Sequence, residues 1–131
     1  MSTILVMDDQ PELRQLFQRV LENQGYMVAT ADNGRAGLAA VGAADPQLIL
    51  LDMAMPLMDG LTFLHELRRL PGRAGLPVII LSGLMSAEQT RAARELGVVD
   101  QLVKAEFSMK ELRARVARHV PPPGVAAAGG V

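Results

Sequence analysis

Leu48-Ile49-Leu50-Leu51-Asp52 is a run of four apolar residues closed by an acid, with Pro46 ahead of it and Pro56 behind. A strand with one wet face alternates apolar and polar residues, whereas an unbroken apolar run reads as a strand buried on both faces of a parallel sheet. Ile4-Leu5-Val6-Met7 and Val78-Ile79-Ile80-Leu81 have the same character, and two weaker runs, Tyr26 to Ala31 and Val98 to Val103, bring the set to five. Between the runs the period changes. Leu13, Leu16, Phe17, Val20 and Leu21 fall at i, i+3, i+4, i+7 and i+8, with Pro11 in the first turn and Gly25 just past the end, which predicts a helix. Gly34 to Ala44 is Ala-rich and stops before Pro46, while Leu61, Phe63, Leu64, Leu67 and Leu70 make a face that ends at Pro71-Gly72. Ser86 with Gln89, and Ser108 with Glu111, have capping-box spacing and predict helices over 86–96 and 108–119. The alternation is (βα)5. Strands joined through helices run parallel with right-handed crossovers, which gives a doubly wound α/β sheet with its ligand crevice outside the carboxyl ends of the strands.

With 131 residues, half of them apolar and 21% charged, the chain has material for one domain with a substantial core. It has no cysteine and two distant histidines, which removes disulfide scaffolds, thiolate nucleophiles and most zinc chemistry. Its eleven arginines and two lysines are scattered among fourteen acids, for a net charge of −1, so no basic stripe invites nucleic acid or anionic lipid. No run approaches the ~20 apolar residues of a membrane span, and Met1 to Ile4 lack a basic leader, so the expected location is cytoplasmic. Pro121-Pro122-Pro123 and the small residues to Val131 have no periodicity, which sets an expected domain of 1–120 and a tail or linker of 121–131.

The chemistry gathers at the strand ends. The first run closes in Asp8-Asp9, the central one in Asp52, the fourth in Ser82 and the fifth in Lys104. Asp9 as a helix cap accounts for one acid, but not for three carboxylates at one edge: like charges ~4 Å apart repel by about 4 kcal/mol at an effective dielectric of 20. A cation offsets that repulsion, and all-oxygen ligands favour Mg²⁺ or Mn²⁺ over zinc. A divalent ion, a lysine and a hydroxyl around an aspartate suit a dianionic phosphoryl group, with the carboxylate as nucleophile.

Asp8-Asp9, Asp52-Met53-Ala54-Met55-Pro56-Leu57-Met58-Asp59-Gly60, Leu81-Ser82-Gly83 and Val103-Lys104 stand in an order and spacing that resembles the receiver domain of bacterial two-component response regulators, from residue 3 to about 120. The resemblance implies a flavodoxin-like strand order of 2-1-3-4-5. It implies Asp52 as phosphoacceptor, Asp9 as a direct Mg²⁺ ligand, Asp8 partly through water, and the Asp52 carboxylate with the Ala54 backbone carbonyl completing the protein ligands. Ser82 hydrogen-bonds the phosphoryl group and Lys104 pairs with it. The implied partner is a sensor histidine kinase or phosphotransfer protein, with an output partner or effector domain, and the chain is a monomer or a phosphorylation-dependent dimer. Such a domain is a signalling module that catalyses only its own phosphorylation and dephosphorylation. Ala54 and Leu84, near the path of the hydrolytic water by resemblance, cannot orient it, so a long-lived phosphoaspartate is expected.

The sequence departs from the family where signal leaves the site. Gln101 stands where many receivers carry Tyr or Phe, and Lys104-Ala105-Glu106-Phe107 has no proline and runs one residue longer before Phe107. An aspartate-nucleophile phosphohydrolase of the haloacid dehalogenase type shares the Mg²⁺, the aspartate and the lysine, but needs a second acid where Ala54 stands. A flavin or nucleotide binder on the same fold lacks its glycine-rich first turn here. Met27, Met53, Met55 and Met58 read as packing, His65, beside polar Glu66, Arg68 and Arg69, as solvated, and Arg113, Arg115, Arg118 and His119 as cations at a helix C-terminus.

Overall fold

The computed structural model describes residues 2–83 and 85–123. Five strands and five helices alternate: β1 (Thr3–Met7), α1 (Pro11–Asn23), β2 (Met27–Ala31), α2 (Gly34–Ala44), β3 (Leu48–Asp52), α3 (Gly60–Arg69), β4 (Val78–Ser82), α4 (Ala87–Glu95), β5 (Val98–Val103) and α5 (Met109–His119). The strands form one parallel sheet in the order β2-β1-β3-β4-β5.

The continuous apolar runs follow from this topology, because successive residues of one strand feed two different cores. Leu5, Met7, Ile49, Leu51, Val78 and Ile80 pack against Val41 of α2, Phe63, Leu64 and Leu67 of α3, and Ala93 of α4. Their neighbours Ile4, Val6, Leu48, Leu50, Ile79 and Leu81 pack against Phe17 and Leu21 of α1 and Leu112 and Val116 of α5. β3 and β4 are buried throughout, while the edge strand β2 is mostly accessible, which is why its sequence signal is weak. Met27, expected to fill a gap, is exposed on that edge for the same reason.

Both predicted capping devices form, but the one at α4 is complete: Ser86 Oγ accepts from Gln89 N–H while the Gln89 side chain accepts from Ser86 N–H. α4 needs it, since Ala93 is its one buried residue. At the C-terminal end the Tyr26 hydroxyl donates to the Val120 carbonyl, Pro122 is buried, and Pro123 lies against Gly25, whose φ of +98 suits glycine alone. Residues 124–131 of the expected tail lie outside the described residues.

Arg68, which the sequence marks only as a polar neighbour of His65, turns its guanidinium inward. It donates to the carbonyls of Leu96 (2.7 Å), Arg73 and Leu76 (both 2.8 Å), and Gly97 (3.3 Å), joining α3, the α3–β4 turn and the α4–β5 turn. Arg115, expected to do no more than complement the dipole of α5, bonds Asp100 on β5 at 2.5 Å and Glu111 at 3.2 Å. Arg68→Met keeps the aliphatic stem but strands these partly buried carbonyls, so it should destabilise the chain by about 2 kcal/mol. Urea unfolding measures this, and a loss under about 0.5 kcal/mol would mean that water replaces the guanidinium.

Candidate functional site

Parallel strands with their carboxyl ends at one edge bring Asp8, Asp52, Ser82 and Lys104 together from β1, β3, β4 and β5. Asp52 is the last residue of β3 and Ser82 the last of β4; Asp8 and Lys104 directly follow β1 and β5. The register is locked at the edge itself, where Met53 N–H donates to the Leu81 carbonyl and Lys104 N–H to the Ser82 carbonyl at 2.7 Å.

Asp8 and Asp52 are almost wholly buried, an arrangement that charge disfavours unless it is compensated. Lys104 Nζ lies 3.1 Å from Asp52 Oδ2 and 3.3 Å from Asp8 Oδ2. The remaining partners are backbone. Asp8 Oδ1 accepts from Gln10 N–H at 2.9 Å and Asp52 Oδ1 from Ala54 N–H at 3.1 Å. Arg14, a residue with no signal in the sequence, holds the loop by donating to the Asp8 carbonyl at 2.8 Å.

One ammonium shared by two carboxylates does not satisfy both. Burial, reinforced by the charge of Asp52, pushes the Asp8 carboxyl above its usual range despite the Gln10 N–H and Lys104. Burial also opposes the charge on Lys104, but the hydrogen bond and charge of Asp52, and then Asp8, outweigh it and hold the ammonium above its ordinary value. Lys104 is 3.3 Å from Asp8 Oδ2 but poorly aligned, so this buried oxygen has no hydrogen-bond partner.

Asp9 completes the group from the exposed side: one carboxylate oxygen from each of Asp8, Asp9 and Asp52 falls within 4.8 Å of the other two. Asp9 does not cap α1. That position belongs to Gln10, whose side chain makes no cap bond. Three convergent carboxylates, one with an orphaned buried oxygen, are a donor set for a hard divalent cation.

Ser82 points its hydroxyl at the Gly83 carbonyl, 3.1 Å away. Ser82, Gly83 and Ala54 line a cavity of about 210 Å³ with Met53, Asp59, Leu61, Met85 and Gln89. Asp59 is tied to structure, accepting from Thr62 N–H as the cap of α3, and Gly60 is required because a Cβ there would stand 2.9 Å from the Met53 backbone. Leu84 lies outside the described residues.

Gln101 enters the site indirectly. Its side-chain N–H donates to Met85 Sδ at 3.3 Å, linking β5 to the β4–α4 loop, a contact between residues that no spacing rule connects. On its other side Gln101 lines a groove of about 370 Å³ between α4 and β5, with Thr90, Arg94 and Val99. Phe107 of the β5–α5 loop packs against Phe17 of α1 with ring centroids 6.2 Å apart.

Known proteins share both sequence and arrangement. A family model of the response regulator receiver domain matches residues 4–117. An uncharacterised 14.6 kDa protein of Leptolyngbya boryana is 38% identical over 110 residues, 84% of each chain. A probable transcriptional regulator, ycf27 of Cyanophora paradoxa, is 37% identical over 113 residues that make up 86% of this chain and 46% of that protein, so this chain spans about half the length of such regulators. The chemotaxis protein CheY4 of Vibrio cholerae superposes with a TM-score of 0.85 at 30% identity, covering 92% of this chain and 99% of that one. With the strand order, the acid-lysine cluster at the strand ends and these matches in agreement, the chain belongs to the response regulator receiver domains of two-component signalling systems.

Proposed function

We propose that this receiver takes a phosphoryl group onto Asp52 from a phosphohistidine of a sensor kinase or phosphotransfer protein, and that Mg²⁺ is held by Asp8, Asp9, Asp52 and the Ala54 carbonyl. The single observation that carries the reading is the buried Asp52 carboxylate with Lys104 Nζ at 3.1 Å and two further carboxylates beside it. A carboxylate oxygen of Asp52 attacks phosphorus and a P–O bond forms. The P–N bond of the donor breaks, and its electron pair returns to an imidazole that leaves neutral when its other nitrogen carries a proton. Lys104 keeps its charge throughout and pairs with the phosphoryl oxygens. The Ser82 hydroxyl turns from the Gly83 carbonyl to donate to the same group. A divalent cation, when bound, offsets the repulsion among the carboxylates and neutralises charge on the transferred group. Ala54 brings no hydrogen-bonding side chain to the cavity it lines, which supports slow hydrolysis of the acyl phosphate.

Reorienting Ser82 pulls on the β4–α4 loop, and the Met85–Gln101 contact carries that movement to the α4–β5 groove. The output partner docks there. Coupling through Gln101 replaces an aromatic rotamer with a sulfur-amide contact that sits between the two cavities.

Incubation with Mg²⁺ and acetyl phosphate should add one phosphoryl group, mapped to Asp52 by mass spectrometry. Asp52→Asn should abolish it, and Asp9→Ala should lower its rate at least about tenfold with loss of Mg²⁺ dependence. A phosphoryl group on another residue of the parent would overturn the assignment.

Electrostatics give a second expectation. Because the Asp8 carboxyl is held high in the folded chain, its contribution to stability is most favourable at low pH and declines as pH rises from about 4 through the raised folded value. Asp8→Asn keeps an oxygen for Gln10 N–H and removes the charge. In divalent-free buffer near neutral pH it should raise stability by about 1 kcal/mol, a gain that shrinks toward pH ~4, and it should forfeit the stabilisation that Mg²⁺ gives the parent. Thermal melts across pH, with and without Mg²⁺, check both signs.

Gln101→Ala should leave the rate of phosphorylation by acetyl phosphate within about twofold while reducing phosphorylation-induced change in α4. Hydrogen exchange of residues 86–96 reads that change; an unaltered response would remove Gln101 from the coupling.

A further inference from the structure

The β3–α3 loop places one residue at odds with both its backbone and its solvent. Leu57 has φ +70, in the left-handed region, and its flanking groups close a three-residue turn in which Met58 N–H donates to the Pro56 carbonyl at 2.8 Å. A γ-turn of this hand is rare and strained, and a bulky γ-branched residue at its apex is an outlier where glycine fits freely. Leu57 is also 85% exposed, the most exposed of the large apolar residues among those described. Each methionine of the loop has a seat: Met55 is buried, Met53 packs against Gly60, and Met58 lies over Gly34 so closely that a Cβ there would come within 2.7 Å of it. Asp59 caps α3. The turn is therefore clamped on both sides, and its apex carries an apolar side chain outward into solvent.

Strain and exposure both oppose Leu57 in the free protein, and an outlier of this kind is an observation from which a role in a complex can be inferred. The site decides with what. Asp52 lies at the bottom of a crevice, 2% exposed, and Leu57 stands five residues further on in the loop that leaves it. A protein carrying a phosphohistidine has to bring that residue down to Asp52 and so lays its surface on this loop, whereas a small phosphodonor enters without touching the apex. We propose that Leu57 is a preset apolar anchor that seats in a hydrophobic pocket beside the phosphohistidine of the donor protein, and that it selects the donor rather than assisting transfer. This rests on the Asp52 reading above. The chemistry of the partner follows: an apolar depression next to the phosphorylated histidine, matching one leucine side chain.

The experiment compares two donors on the parent, Leu57→Gly, Leu57→Asn and Leu57→Met. One donor is acetyl phosphate; the other is the phosphorylated catalytic core of a sensor histidine kinase that phosphorylates the parent. Transfer from the kinase core should fall at least about tenfold in Leu57→Gly and Leu57→Asn, through weaker binding, and return to within about threefold of the parent in Leu57→Met. Acetyl phosphate should label all four at rates within about twofold. Melting temperature should be unchanged or higher in Leu57→Gly, because glycine relieves the turn. Kinase transfer within twofold of the parent in Leu57→Gly overturns the anchor. So does an equal fall with both donors, which makes Leu57 part of the transfer machinery, or a fall in melting temperature, which makes it structural. If acetyl phosphate fails to label Asp52 in the parent, the fault lies with the Asp52 reading and not with Leu57.

Discussion

A single ammonium holds the carboxyl edge of this sheet together. Lys104 is the one cation within ion-pair distance of Asp8 or Asp52 among the described residues, and it arrives from the edge strand β5 while the two acids come from β1 and β3 in the middle. Two buried carboxylates without it are isolated charges in a low-dielectric setting, a cost of several kcal/mol. With it they remain under-compensated, and the raised Asp8 carboxyl together with its unpartnered oxygen is the residue of that imbalance. The site is built to be left unsatisfied. A cation among the carboxylates offsets their repulsion, and in the reaction proposed above a phosphoryl group brings negative charge to Lys104 and hydrogen-bond acceptors to Ser82.

The helices are not packed equally firmly. α1, α3 and α5 each bury two or more large apolar residues, whereas α4 contributes only Ala93 and depends on its capping box for local order. Arg68 gathers the α4–β5 turn to α3 through the Leu96 and Gly97 carbonyls, so the C-terminal end of α4 is tethered while its N-terminal end follows the loop that begins at Ser82. In the coupling proposed above, such a helix pivots about its tethered end.

The parts of this design that could be read in the sequence share one property: their signal is local. β1, β3 and β4 declared themselves because burial on both faces leaves an unbroken apolar run, and α4 and α5 because Ser86 and Ser108 cap over three residues. Asp8, Asp52 and Lys104 stood out because charge next to a buried strand demands a reason. What escaped depends on residues distant in the chain. Arg68 bonds carbonyls up to 29 residues away, and the Gln101–Met85 contact spans 16. Met27 as a filler fits the local pattern and gives way to an open sheet edge. The turn at Leu57 escaped for another reason, since nothing in leucine announces a left-handed backbone.

Tyr26 carries a practical corollary. The chain has one tyrosine and no tryptophan, and that tyrosine is buried with its hydroxyl on the Val120 carbonyl, immediately beyond α5. Burial pushes the phenol up to about 12, so it stays protonated well into the alkaline range while this junction is intact. Near-ultraviolet emission therefore comes essentially from one ring at one place, where the β2 turn meets the end of α5 and Pro123 covers Gly25. Undocking of that end exposes the phenol, shifts its ionisation toward about 10 and changes its emission, which gives the unlabelled protein an intrinsic optical gauge of whether its C-terminal helix is seated.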